Sequence, residues 1–238
     1  MTPRFRDFDA DPVTTARRLL GQRLVRVADG ERLAGTIVEV EAYLGPVDRA
    51  AHTFGGRRTA RNESMWRGGG FAYVYFTYGM HFCLNVVCGP VGAGTAVLVR
   101  ALAPTEGLAA MRARRRAARG TTELCSGPAK LTQALAIDRA CDGADLRRGG
   151  ALFIEAIRAR PLPASAIAST PRIGVDYAGA WARRRLRFHV RGDPNVSRER
   201  VTRRAADDIR RRTSAARPRR LPADDRSAGP SRAEGCGA

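Results

Sequence analysis

The stretch Leu33-Ala34-Gly35-Thr36-Ile37-Val38-Glu39-Val40-Glu41-Ala42-Tyr43 decides the architecture of this chain. Ile37, Glu39, Glu41 and Tyr43 fall on one side of it, and Thr36, Val38, Val40 and Ala42 on the other. A period of two belongs to a β-strand, here with one apolar face and one acidic and aromatic face. Both glutamates then point the same way as Tyr43, and Leu44-Gly45-Pro46 ends the strand in a turn. Beyond a long glycine- and arginine-rich loop, residues 44–70, two more β-rich runs at 71–78 and 81–88 are separated by Gly79-Met80. A third run, 96–102, is apolar apart from Arg100, and the three in succession predict a β-meander. Short strands at 151–156, 172–175 and 186–190 complete the β pattern.

Helices are few. Asp11-Pro12 opens an amphipathic helix through Val13, Ala16, Leu19 and Leu20, with proline in the first turn and Gly21 as its stop. Residues 104–118 read as a second helix with a basic outer face, and Gly127-Pro128 opens a third that runs through Ile137. Antiparallel strands with scattered helices make the chain α+β and exclude a parallel doubly wound sheet. Its 238 residues, 44 % of them apolar, suit one domain with a tail. That domain is placed at 1–197, because apolar periodicity stops there; 198–238 is an arginine-rich segment with the composition of a disordered tail.

The formal net charge is +19, and of 42 basic residues only Lys130 is a lysine. A surface so dominated by guanidinium groups seeks polyanions and suits bidentate contact with phosphate. No uncharged apolar run reaches the length of a membrane span, and the charged N-terminus lacks a secretory apolar core, so a cytosolic protein without membrane attachment is expected. Five cysteines in no paired spacing, with three histidines, argue against a structural zinc site or a disulfide framework and for buried free thiols.

Four features could carry chemistry. Glu41, at the end of its strand beside Tyr43, is either a solvated or salt-bridged carboxylate or a general base acting on water. In the run Tyr73-Val74-Tyr75-Phe76-Thr77-Tyr78-Gly79-Met80-His81, strand aromatics are ordinary core residues, but Tyr78 at a hairpin tip cannot be covered by its own hairpin. Flanked by Met80 and His81 in a basic protein, it suits insertion between stacked bases. Arg100 must find an anion, either a carboxylate such as Glu41 or a phosphate. His52 is either a hydrogen-bonded loop histidine or a wall for a planar ligand. The glycine-rich stretches match neither a P-loop nor a dinucleotide fingerprint, so nucleoside triphosphate chemistry is unsupported.

In combination, Val38-Glu39-Val40-Glu41-Ala42-Tyr43-Leu44-Gly45, Ala51-His52, residues 59–62, 73–80, Asn85-Val86-Val87, 97–102, Glu123 to Leu131 and Arg191-Gly192 resemble, in order, the alkyladenine (3-methyladenine) DNA glycosylase family. The resemblance runs from about residue 10 to Ser197. It implies a single domain built on a curved antiparallel sheet, and a monofunctional base excision repair enzyme that acts as a monomer on double-stranded DNA containing damaged purines, with no metal or other cofactor. By position, Glu41 matches the family's base on the attacking water and Arg100 the arginine that helps hold that water. Tyr43, His52 and Tyr75 match the aromatic walls around the extruded base, Tyr78 the minor-groove wedge, and Asn85 the residue that disfavours purines with a 2-amino group. The sequence departs from the pattern at Ala60, where many relatives have proline, and at Gly68-Gly69-Gly70, which replaces a proline-containing turn.

Base excision from a duplex requires base flipping, a wedge, a pocket of π faces and a basic groove. Each has candidates here. A bifunctional glycosylase needs an amine nucleophile, for which the sequence offers only the N-terminal amine and Lys130; Lys130 reads as a structural or phosphate-binding residue of a helix, and water is favoured. The competing reading is a basic nucleic-acid-binding domain without catalysis. Glu41 separates the two, because a carboxylate beside an aromatic pocket repels phosphate and benefits only an enzyme.

Overall fold

The acidic strand lies at the centre of the sheet. The computed structural model describes residues 4–77 and 79–197, and there this strand, β2, spans Glu31–Tyr43. Along one edge it pairs antiparallel with β5 (Thr95–Glu106). Along the other it has two partners in succession: β1 (Arg23–Ala28) against its first half and β8 (Arg187–Val190) against its second, with Arg187 opposite Glu41. Strands β3 (Ala72–Thr77) and β4 (His81–Cys88) continue outward from β5 as the expected meander. Beyond β1 lies β6 (Leu152–Glu155), and β7 (Ile167–Thr170) pairs with β8. All these pairings are antiparallel, and the fold is α+β as its strand pattern predicts.

The ladder between β2 and β5 slips around Glu39. Ile37 faces Leu102, Glu39 faces Ala101 and Val40 faces Val99, which leaves Val38 and Arg100 without an opposite residue. Bulges of this kind bend a strand and re-aim a side chain. Two consequences follow: the sheet curls, and the expected alternation changes phase. Ile37, Val40 and Ala42 all join the main core, although an unbroken strand would put Ile37 and Val40 on opposite faces. Ile37 therefore does not share the face of Glu41 and Tyr43. A second slip at Gly35 lets Leu102 and Ala103 approach to within 2.9 and 3.0 Å of where a β-carbon would stand.

Helix α1 (Pro12–Leu19) is capped by Asp11, whose carboxylate accepts from the amides of Val13 (2.9 Å) and Thr14 (3.0 Å). Its inner residues Ala16 and Leu19 pack with Leu24, Leu33 and Ile37, where each large apolar side chain removed from water contributes on the order of 1.5–3 kcal/mol. The helix expected at 104–118 is shorter than its composition suggests. Strand β5 persists through Pro104 to Glu106, and α2 covers only Leu108–Arg114 after a left-handed Gly107. Pro104 stands opposite Gly35 at the register slip, the kind of irregularity at which a strand accommodates proline. Two further α-helices are α3 (Thr121–Leu124) and α4 (Pro128–Ala134), and α4 packs on β4 and β5. The strand expected at 172–175 is absent; β7 precedes it, and residues 172 and 173 are turned toward β2 instead.

Among the described residues Cys83, Cys88, Cys125 and Cys141 are buried free thiols, as expected; Cys236 lies outside them. No helix among the described residues is long and apolar enough to cross a membrane.

Candidate active site

Glu41 is completely buried near the C-terminal end of β2. Its carboxylate accepts from the Tyr43 hydroxyl (2.9 Å) and the Ile173 amide (2.8 Å), and Arg100 Nη1 stands 3.1 Å away. This explains the missing strand at 172–175, since the Ile173 amide serves Glu41 and not a ladder. Arg100 projects from the β5 bulge and uses its Nε on Glu39 (2.8 Å). Glu39, equally buried, also accepts from Arg187 Nε (2.7 Å), Ser197 Oγ (2.8 Å) and the Ser197 amide (2.6 Å). Two carboxylates and two guanidinium groups thus form one buried, charge-balanced cluster. Burial opposes ionisation of Glu39, but Arg100 and Arg187 outweigh it and hold the carboxyl below its usual range. Burial likewise opposes the charge on Arg100, and Glu41 and Glu39 more than restore it.

Beside this cluster lies a cavity of about 210 Å³, whose lining includes Tyr43, His52, Tyr75, Asn85 and Arg100. The sequence-predicted pocket residues therefore meet in one place. Tyr75 stacks on the buried Tyr73 with ring centroids 5.3 Å apart, and His52 meets Tyr75 edge-on at 4.6 Å. His52 Nδ1 is 2.7 Å from the Tyr73 hydroxyl. Burial, reinforced by Arg61 and Arg57, pushes the His52 pKa down to about 4, so the imidazole is neutral at pH 7. The phenols of Tyr43 and Tyr75 are raised well above their usual value, chiefly by burial, and stay protonated. The aromatic walls consequently carry no charge. Asn85 donates to the Tyr73 carbonyl (3.2 Å), which fixes its amide at the pocket.

Several supports were not legible in advance. Arg172 backs Tyr43, its guanidinium centre 4.7 Å from the ring centroid, while its two terminal nitrogens hold Asp48 at 2.6 and 2.9 Å. Arg172 also donates to the Ala42 carbonyl (3.0 Å). Asn62 organises the long loop: its amide donates to the carbonyls of His52 (3.0 Å) and Arg57 (2.9 Å), and its oxygen accepts from the Thr59 amide (2.7 Å). The triple glycine closes that loop against β4, with the Gly70 amide on Val87, and at Gly69 a β-carbon would collide with the Phe8 carbonyl. At the hairpin tip Met80 is 70 % exposed and His81 half-buried, at the head of β4. Tyr78 lies outside the described residues. Arg187 could have been found by the test that singled out Arg100, a charge inside an apolar strand. Tyr73, Asp48 and Arg172 carry no such signal.

The arrangement is thus a cavity with uncharged aromatic walls, adjoining a buried carboxylate on a strongly basic chain. The sequence profile of the methylpurine-DNA glycosylase (MPG) family matches residues 6–194, and the chain belongs to this family. It is 50 % identical over 199 residues to the DNA-3-methyladenine glycosylase of Mus musculus, covering 80 % of this chain and 59 % of the mouse protein. Identity to the DNA-3-methyladenine glycosylase of Homo sapiens is 49 % over 199 residues, covering 80 % of this chain and 66 % of the human one. A Bacillus cereus relative named for 3-methyladenine DNA glycosylase is 42 % identical over 199 residues, 81 % of this chain and 97 % of its own. The chain thus spans less than two thirds of the length of the mammalian relatives and nearly all of the bacterial one.

Proposed function

We propose that this protein is a monofunctional DNA glycosylase that takes an alkylated purine, such as 3-methyladenine or 7-methylguanine, out of duplex DNA and hydrolyses its N-glycosidic bond. The observation that carries the reading is Glu41, buried with Arg100 and the Tyr43 hydroxyl beside an aromatic slot. Glu41 takes a proton from water as the water oxygen bonds to C1′ of the sugar. The C1′–N bond breaks and its electron pair leaves with the purine. A purine alkylated at N3 or N7 carries a positive charge before cleavage, so it departs neutral and needs no general acid. Arg100 is the group that holds Glu41 and the water in line.

Selectivity has three supports. The cationic lesion stacks between Tyr43 on one side and His52 and Tyr75 on the other, gaining about 1–2 kcal/mol of cation–π attraction that an undamaged base lacks. A charged His52 would cancel part of that gain, and burial keeps it neutral. Asn85 occupies the space that a 2-amino group would need. Tyr78 fills the vacated stack, with Met80 and His81 beside it in the minor groove, and the arginine surface holds phosphates. Lys130, the lysine a lyase reaction would need, donates to Ser126 Oγ (3.4 Å) from α4, which supports water as the nucleophile. The domain works as a monomer in the cytoplasm, and 198–238 adds charge.

Single-turnover excision from four duplexes carrying 3-methyladenine, 7-methylguanine, hypoxanthine or ethenoadenine tests this reading. The parent is expected to release at least one base, and Glu41→Gln to bind that lesion while release falls on the order of 10²–10⁴-fold. Release within tenfold of the parent removes Glu41 as the base. A parent that binds all four and releases none is a binding domain.

A further inference from the structure

Glu39 has no part in the reaction just described, yet it is as deeply buried as Glu41 and stands two residues before it. A buried ion cluster of this kind adds little net stability over apolar packing, so its retention calls for another reason. Arg100 supplies one. Its fork is planar and rigid, with Nε on Glu39 (2.8 Å) and Nη1 facing Glu41 (3.1 Å). Arg100 sits in a bulge with no residue opposite, and its direction is set by Glu39 together with Ser197, whose Oγ accepts from Nη2 (3.4 Å). Without Glu39, the same fork can turn onto Glu41 with two parallel hydrogen bonds, the geometry in which a carboxylate is most strongly neutralised as a base.

We propose that Glu39 is a positioning residue for hydrolysis: by sharing Arg100 it fixes the guanidinium beside the pocket and leaves a single nitrogen facing Glu41, so that the base keeps a free direction toward the water. The inference rests on the reading of Glu41 as the base. Arg187 and Ser197 complete the device: both donate to Glu39, and Ser197 Oγ, by also accepting from Arg100 Nη2, steadies the same fork. The charged and titratable groups around Glu41 set the sign of any change. From its own strand these are Glu39 and Tyr43; from β5, Arg100; from β8, Arg187 opposite it and His189 opposite Glu39. Arg172, from the segment after β7, and Tyr75 and Cys83, from the hairpin, also feel its charge. Removing the Glu39 charge releases Arg100 from its second carboxylate and lets the fork turn onto Glu41.

The test is Glu39→Gln in the full chain, read by single-turnover excision across pH on the lesion the parent releases best. Lesion-duplex affinity should stay within about twofold while the plateau rate falls on the order of tenfold, a split that a merely structural role would not produce. In a Glu41→Gln background the same substitution should cost nothing further, because the group it tunes is gone. A folded Glu39→Gln protein whose plateau rate matches the parent's across pH overturns the proposal. If thermal melting shows the single variant unfolded, the charge-balanced pair Glu39→Gln/Arg187→Gln is read instead: a lowered plateau at unchanged affinity supports the proposal, and a parental plateau overturns it. Failure of the base reading is distinct, because Glu41→Gln alone would then retain its rate.

Discussion

The neutral state of His52 makes stability depend on acid in a way that can be calculated. An unfolded histidine titrates near 6.5, whereas in the folded protein burial, with Arg61 and Arg57, lowers His52 to about 4. Between those values the unfolded chain binds a proton that the folded one does not, so stability rises with pH. The contribution is fully present above pH 6.5, is lost as pH falls toward 4, and is constant below that. Taking the two values together, acidification from pH 7 to pH 5 costs about 2 kcal/mol through this one residue. Other groups titrate over the same range, and His52→Gln isolates the effect, because glutamine keeps an acceptor for the Tyr73 hydroxyl but never charges. Urea denaturation of parent and variant at pH 7 and pH 5 is the assay. The variant should lose about 2 kcal/mol less than the parent on acidification. Parallel losses in the two proteins would refute the argument that the pocket wall excludes the imidazolium form.

Arg172→Met should cost about 3–5 kcal/mol in urea denaturation, because it strands Asp48 in a buried site. Adding Asp48→Asn should recover part of that loss, and a cost below about 1 kcal/mol would show that the pair is dispensable. Truncation after Ser197 should leave single-turnover excision intact and flatten the slope of log affinity against log salt by about 0.9 for each phosphate the removed arginines neutralise. Equal slopes would mean that residues 198–238 do not touch DNA.

What could be read from the sequence was whatever local pattern dictates. The alternation at Glu39 and Glu41, the capped start of α1 and the three runs of the meander were all legible. Misread elements were those where tertiary partners overrule local preference. Pro104-Thr105-Glu106 reads locally as the proline-led first turn of a helix, yet the edge of β2 recruits these residues into β5. Residues 172–175 have strand composition, but Arg172 and Ile173 are drawn to Asp48 and Glu41. The bulge that leaves Val38 and Arg100 unpaired is a mismatch between two strands sixty residues apart in sequence, and neither strand records it alone. Within the site, Glu41, Tyr43, His52, Tyr75, Asn85 and Arg100 were nameable from type and motif. Glu39 was seen to share their face but not singled out, since its partners Arg187 and Ser197 come from the far end of the domain.

Strand β2 has neighbours on both edges, whereas His52 stands on a loop whose backbone bonds are short-range turns, such as Ala51 to Asp48 and Phe54 to Ala51. Amide hydrogens of the first kind exchange with solvent only when the whole domain opens; those of the second exchange through small local openings. The two sides of the pocket therefore keep different clocks. The carboxylate is mounted on the slowest-opening part of the molecule, while the wall opposite Tyr43 can yield at a fraction of that free energy. On the proposed reading of the site, a bulkier base would gain its room by displacing the His52 side, while the geometry around Glu41 would stay where it was. Breadth of substrate would then be a property of one loop's opening equilibrium, adjustable by substitutions that never touch the reacting atoms.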